Sequence, residues 1–254
     1  MPVLPRYRTL VAALAMLAAA PVFAAADGTV AEHSLPSSPP YIVVGFVGGF
    51  VRHDNPHQGP VLFAQRAQRS LPKNSYVHVF ENRHRKSAYK TILQLLDSNR
   101  DGYLNSAEKA QARIILFGHS WGGSAVVMLA RELDRVGIPV LLTVQVDSVA
   151  KPWQHDGTIP DNVAAAANFY QPNGFVHGRA QITAADKTKT QILGNYRFNY
   201  QQAPVKCEAR SWFDHLTPTH AESACDPHLW SQIEDLVRAR IEPDSGAVAA
   251  IRQQ

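Results

Sequence analysis

The stretch Ile114–Gly123, IILFGHSWGG, runs four apolar residues of strand character straight into Gly118-His119-Ser120-Trp121-Gly122. It fits G-x-S-x-G, a sharp strand-to-helix turn that presents a serine hydroxyl at the edge of a sheet. A serine hydroxyl is a poor nucleophile unless it is held exposed beside a base and beside donors for an oxyanion. Gly118 and Gly122 flank Ser120 where a Cβ would strike the neighbouring element. Beyond the turn, Ser124–Val136 alternates apolar and polar residues at helical spacing until Gly137 and Pro139 stop it.

Working outward, strand and helix patterns alternate. Tyr41–Gly49 (YIVVGFVGG) is a near-continuous apolar run, as in a central strand covered on both faces. Gly59–Leu71 reads as helix, Ser75–Phe80 as strand, Lys86–Leu96 as helix, Arg113–Phe117 as the strand entering the turn, and Val140–Val146 (VLLTVQV) as the next strand. The long stretch 148–178 contains a predicted helix, Asn162–Tyr170, and is where a cap would sit; its aromatics Trp153, Phe169, Tyr170 and Phe175 are candidates to line an apolar pocket. Asp226–Arg240 is an amphipathic helix with Asp226 as N-cap and Pro227 at its first position. The alternation predicts right-handed crossovers and a mostly parallel central sheet with helices on both faces and a small cap segment.

The amino terminus reads as an export signal over 1–26: Arg6 and Arg8, the apolar Leu10–Ala20, then small residues at Val22, Ala24 and Ala26. That apolar stretch is short of the roughly 20 residues needed to span a bilayer, and no later run reaches them. The expectation is a secreted or periplasmic bacterial protein with no transmembrane segment after signal removal. Residues 27–40, with SLPSSPP at 34–40, form a linker, and 41–254 a single domain. The formal charge of +4 falls to about +2 without Arg6 and Arg8, which excludes an electrostatic case for nucleic acid. A monomer is expected. Cys207 and Cys225 fit one disulfide in an exported chain, closing a loop of about 19 residues and stabilising by roughly 3 kcal/mol.

Enzymes built on such a turn order their triad Ser, acid, His along the chain. Asp147 directly ends VLLTVQV, where its carboxylate can accept from a histidine ring and fix the tautomer; Asp186 is the alternative. Among the later histidines, His220 lies in the expected loop Thr217–Ser223, between the two cysteines and ahead of the last helix, with His228 and His215 as alternatives. The oxyanion donors are expected from the Trp121 amide and from Gly49 or Phe50 in the turn after the first strand.

A second constellation fits the twelve-residue EF-hand loop, Asp97–Glu108. Asp97, Asn99 and Asp101 stand at positions one, three and five, and Gly102 allows the turn at six. The Tyr103 carbonyl stands at seven, Asn105 acts through water at nine, and Glu108 binds at twelve. Oxygen donors suit Ca2+, a hard cation, and a single loop of this kind implies a structural site with Kd on the order of 10⁻⁴ to 10⁻³ M. No organic cofactor is expected.

Together these residues resemble the α/β-hydrolase superfamily, in particular secreted lipase- and esterase-like serine hydrolases with a GHSWGG turn. The resemblance implies a sheet of the eight-stranded type, Ser120 as nucleophile, a His base and an Asp orienter. It also implies a small-molecule or lipid ester (or thioester) as substrate. Many members place the acid one strand later than Asp147, and most lack the EF-hand-like insertion. The competing expectation is a hydrolase-fold protein with little or no turnover, serving as a calcium-stabilised binding or envelope protein.

Overall fold

The computed structural model describes residues 39–207 and 212–241; the expected signal segment 1–26 and nearly all of the linker lie outside them. The chain runs β1 (Ile42–Val47), α1 (Gly59–Ser70), β2 (Tyr76–Glu81), α2 (Arg85–Leu96), α3 (Ser106–Ala110), β3 (Ile114–His119), α4 (Trp121–Asp134), β4 (Leu142–Val146), β5 (Thr158–Ile159), β6 (Ala165–Tyr170), β7 (Thr183–Ala184), β8 (Gln191–Arg197), α5 (Trp212–Leu216), α6 (Pro218–Cys225) and α7 (Pro227–Ile241). Six strands form one sheet in the order β2-β1-β3-β4-β6-β8, every neighbouring pair parallel. β5 and β7 pair separately. Among the described residues the main sheet has six strands, all parallel and flanked by helices, where a sheet of the eight-stranded type was expected.

Alternate residues of the central strands feed two cores. Val43, Ile115, Phe117, Val144 and Phe169 face α1 and α7, where Phe63 and Trp230 pack. Ile42, Val44, Phe46, Ile114 and Leu116 face α2 and α4, against Ile92, Leu96, Val126 and Leu129. Strands covered on both faces need no polar side, which is why YIVVGFV and IILF read as continuous apolar runs. No helix among the described residues is long and apolar enough to cross a membrane.

Two expectations are corrected. The helix predicted over 162–170 is instead the strand β6, hydrogen-bonded between β4 and β8. Its alanines favour a helix in isolation. Burial between two strands overrides that preference, because Ala165, Ala166, Ala167 and Phe169 are fully buried. β6 thereby divides the stretch 148–178 into two loops that border the carboxyl edge of the sheet. Second, His220 lies within the helix α6 rather than in an open loop. At the carboxyl terminus α7 begins as predicted, with Asp226 Oδ1 accepting from the His228 amide at 2.8 Å.

Candidate active site

The parallel register brings the carboxyl ends of β1, β3, β4 and β6 to one edge. Phe46 pairs with Gly118, His119 with Val146, and Val146 with Phe169. Ser120 sits at the bend between β3 and α4 with φ 57° and ψ −127°, a conformation that costs a non-glycine residue of order 1–3 kcal/mol. Its amide donates to Val146 O at 2.9 Å, and its carbonyl accepts from Val149 N at 3.2 Å. The flanking glycines are required by contact. A Cβ at Gly118 would stand 2.5 Å from Gly122 backbone, and one at Gly122 would stand 2.3 Å from Phe46 O.

Ser120, Asp147 and His220 are brought together. His220 Nδ1 lies 2.6 Å from Asp147 Oδ2, and its Nε2 lies 2.8 Å from Ser120 Oγ. A carboxylate only accepts, so the proton belongs on Nδ1, which leaves Nε2 free to accept the Ser120 hydroxyl. All three side chains are buried, Asp147 completely. The alternatives stand elsewhere. Asp186 accepts from the Thr188 amide and hydroxyl in its own turn, His215 is exposed in α5, and His228 contacts Gln232 on α7.

Sequence reasoning missed the groups that hold this constellation. The Asp147 carboxylate also accepts from Gln171 Nε2 at 2.9 Å and from the amide of Gly178. Gln171 is fixed in turn by donating to Val176 O at 3.1 Å and accepting from Asn173 N at 2.8 Å. Ser223 Oγ donates to His220 O at 2.7 Å and lies 3.0 Å from His119 Nε2. The His119 ring packs against His220 with centroids 4.7 Å apart and a tilt of 35°. Burial, and next the neighbouring His220, push His119 down to about 3, so it stands neutral beside that ring. The one available signal was Ser223, three residues after His220 and therefore on the same helix face.

Gly48, Gly49 and Phe50 follow β1 directly beside the bend. A Cβ on Gly48 would stand 3.3 Å from Ser120 Cβ, and one on Gly49 would stand 2.7 Å from the Trp121 ring. Phe50 has φ 61° and packs on Trp121 with ring centroids 5.4 Å apart. Trp121 is the first residue of α4, so its N–H has no acceptor within the helix. Gly48 O accepts from Asn82 Nδ2 at 2.8 Å, which fixes the orientation of the Gly48–Gly49 peptide.

Two cavities open at this edge. One of about 300 Å³ is bordered by Phe50, Arg52, Asn82, Trp121 and Lys151. The other, about 510 Å³, is bordered by Ser148, Val149, Ala150, Tyr170 and His177. Of the aromatics considered for a pocket, Tyr170 borders the second cavity. Phe169 is buried in the sheet core, and Trp153 and Phe175 are 94% and 95% exposed. The Cys207–Cys225 disulfide is present and ties the end of α6 to the segment after β8.

The loop Asp97–Glu108 lies between α2 and β3, away from this edge. Its acidic and amide side chains accept from backbone amides of the loop itself. Asp97 Oδ2 accepts from Gly102 N at 2.9 Å, Asn99 Oδ1 from Asp101 N at 3.1 Å, and Asp101 Oδ1 from Tyr103 N at 2.8 Å. Glu108 is turned to protein donors. Its Oε1 accepts from Ser98 N at 2.9 Å and Ser98 Oγ at 2.8 Å, and its Oε2 from Asn105 N at 3.0 Å. Those bonds, the Asn105 amide first, hold its carboxyl below the usual range. Among the described residues, the only three His, Cys, Asp or Glu side chains with ligand atoms within 4.8 Å of one another are His119, Asp147 and His220.

No family model matches the chain, and no curated protein matches it. Among solved structures it is similar in outline to an acetyl xylan esterase, with TM-score 0.37, 11% identity, and coverage of 81% of this chain and 100% of that one. A cutinase-like protein from Cryptococcus sp. gives 0.40, 11%, 82% and 98%. A dienelactone hydrolase-like promiscuous phosphotriesterase from metagenomic libraries gives 0.36, 15%, 82% and 87%. Likenesses of this size leave the chemistry to the chain's own geometry.

Proposed function

We propose that this protein is an exported serine hydrolase that cleaves a carboxylic ester, or thioester, through an acyl-enzyme on Ser120. The observation that carries the reading is the continuous chain of contacts from Ser120 Oγ to His220 Nε2 at 2.8 Å and from His220 Nδ1 to Asp147 Oδ2 at 2.6 Å. In this reading Ser120 Oγ attacks the carbonyl carbon while its proton passes to His220 Nε2. Asp147 stabilises the imidazolium that forms and keeps the ring oriented. The carbonyl oxygen, now negative, is met by the Trp121 amide and by that of Gly49 or Phe50. The bond to the leaving oxygen or sulfur then breaks, and His220 returns the proton to it. Water, deprotonated by His220, attacks the acyl carbon; the bond to Ser120 Oγ breaks as His220 returns the proton to it, which releases the acid and restores the serine.

Export is supported by the basic-then-apolar segment 1–26 together with the disulfide. The loop Asp97–Glu108 offers hard oxygen donors suited to Ca2+, held by Asp97, Asn99, Asp101, the Tyr103 carbonyl, Asn105 and Glu108. Such an ion would brace the connection before β3.

The test is a series of p-nitrophenyl esters of increasing chain length, assayed on the mature protein. The reading expects turnover of at least the short esters, with kcat/KM falling by at least 10³-fold in His220→Ala. No turnover across the series would support the binding-protein alternative instead.

A further inference from the structure

The cavity beside Phe50 and Trp121 contains a cation that the proposed mechanism does not use. Lys151 is partly buried. Its ammonium donates to Asn82 Oδ1 at 2.7 Å and lies 4.7 Å from the centre of the Trp121 ring. Among the described residues it has no carboxylate within ion-pair distance. The other charges lining the cavity are matched: Arg52 pairs with Asp54 at 2.9 Å, and Arg83 with Glu81 at 2.5 Å. Burial, and next the nearby Arg85, lower the Lys151 pKa, and no carboxylate counteracts this. An ammonium in the wall of a cavity with no carboxylate beside it is open to donating a charge-assisted hydrogen bond to an arriving anion.

The lysine is held in place. Gln154 Oε1 accepts from the Ser124 hydroxyl of α4 at 2.8 Å and from the Lys151 amide at 3.4 Å, which pins the loop to the helix that Ser120 caps. The residue also reaches the bend by two routes. One passes through the Trp121 ring, next in sequence to Ser120. The other passes through Asn82 to Gly48 O, and Gly48 packs against Ser120. An ammonium has three donors, and Asn82 takes one of them.

We infer that Lys151 is a specificity residue that receives an anionic group of the substrate, so that the preferred ester carries a carboxylate, sulfate or phosphate a few atoms from the scissile carbonyl. The anion enters the cavity of about 300 Å³ between Phe50, Trp121 and Lys151 and takes a charge-assisted hydrogen bond from the ammonium. The inference rests on the serine hydrolase reading above and adds the substrate class to it.

The experiment compares a neutral and an anionic ester of similar length on the mature protein, p-nitrophenyl butyrate against p-nitrophenyl hemisuccinate. A second pair carries the carboxylate on the leaving group. Wild type, Lys151→Gln and Lys151→Arg are assayed at low and high salt. The expected result is an anionic-over-neutral ratio of kcat/KM of about 10- to 100-fold in wild type for at least one pair, the range of a hydrogen bond to a charged group. That ratio should fall at least tenfold in Lys151→Gln, recover in Lys151→Arg, and shrink with salt. If neutral esters are turned over but the ratio is near one in both pairs, or is unchanged in Lys151→Gln, the inference is overturned and the hydrolase reading stands. If no ester is turned over and a neutral fluorophosphonate leaves Ser120 unlabelled, both fall together.

Discussion

Asp147 Oδ2 and His220 Nδ1 stand 2.6 Å apart, both buried, although 73 residues separate them in the chain. Their meeting depends on the parallel sheet, which delivers Asp147 from the end of β4, and on α6, which presents His220 beside it. Asp147 itself has φ 41°, a left-handed backbone in which its carboxylate meets the ring, Gln171 and the Gly178 amide at once. Asp147→Asn should therefore keep the fold but disturb the tautomer of His220. The expected loss in kcat is about 10³-fold or more, with KM changed much less, measured by steady-state kinetics on an ester the wild type turns over.

Gly122 tests the packing that makes the bend. A methyl group there would press on Phe46 O and Val47 O of β1, which are backbone atoms and cannot swing aside. Gly122→Ala should lower stability by about 1–3 kcal/mol in chemical denaturation. It should also lower turnover by moving the Trp121 amide away from the β1 turn. An alanine variant with wild-type stability and rate would show that the close approach of α4 to β1 is dispensable.

His119 gives a signature in pH. Its folded pKa is pushed down to about 3, below the ordinary histidine value near 6.5 that an unfolded chain would show. Between those values the unfolded state binds a proton that the folded state does not, so stability rises with pH across this window and is lost as pH falls from about 6.5 towards 3. The contribution to the slope approaches about 1.4 kcal/mol per pH unit at most. Denaturation of wild type and His119→Gln from pH 4 to 7 should show the shallower dependence in the variant.

Calcium should act on stability rather than on the chemistry, because the loop Asp97–Glu108 precedes β3 and lies away from Ser120. Adding Ca2+ at about 10 times a Kd of order 10⁻³ M should stabilise by roughly 1.4 kcal/mol. Melting curves in millimolar Ca2+ and in chelator should differ in wild type and coincide in Asp97→Ala. Coincident wild-type curves would show that the loop does not take the ion.

The bend at Ser120 and the central strands are legible because their signals are local: a glycine-flanked serine after IILF, and apolar runs long enough for doubly covered strands. Asp147 was legible for the same reason, as the residue that ends VLLTVQV. β6 reads as helix in the sequence because its actual preference is set by neighbours far away in the chain. Ala165–Ala167 look helical until β4 and β8 enclose them. The partners of the acid, Gln171 and Gly178, and the cation Lys151 left no pattern at all. They sit in loops whose path is decided only when the sheet forms, so no periodicity or spacing could mark them.

The central claim is tested most directly by reacting the mature protein with a neutral fluorophosphonate and locating the adduct by mass spectrometry of the peptides. The account predicts one adduct, on Ser120, formed at a rate that collapses in His220→Ala and in Asp147→Asn and absent in Ser120→Ala. Labelling that persists undiminished in Ser120→Ala, or a wild-type protein that stays unlabelled, would contradict it.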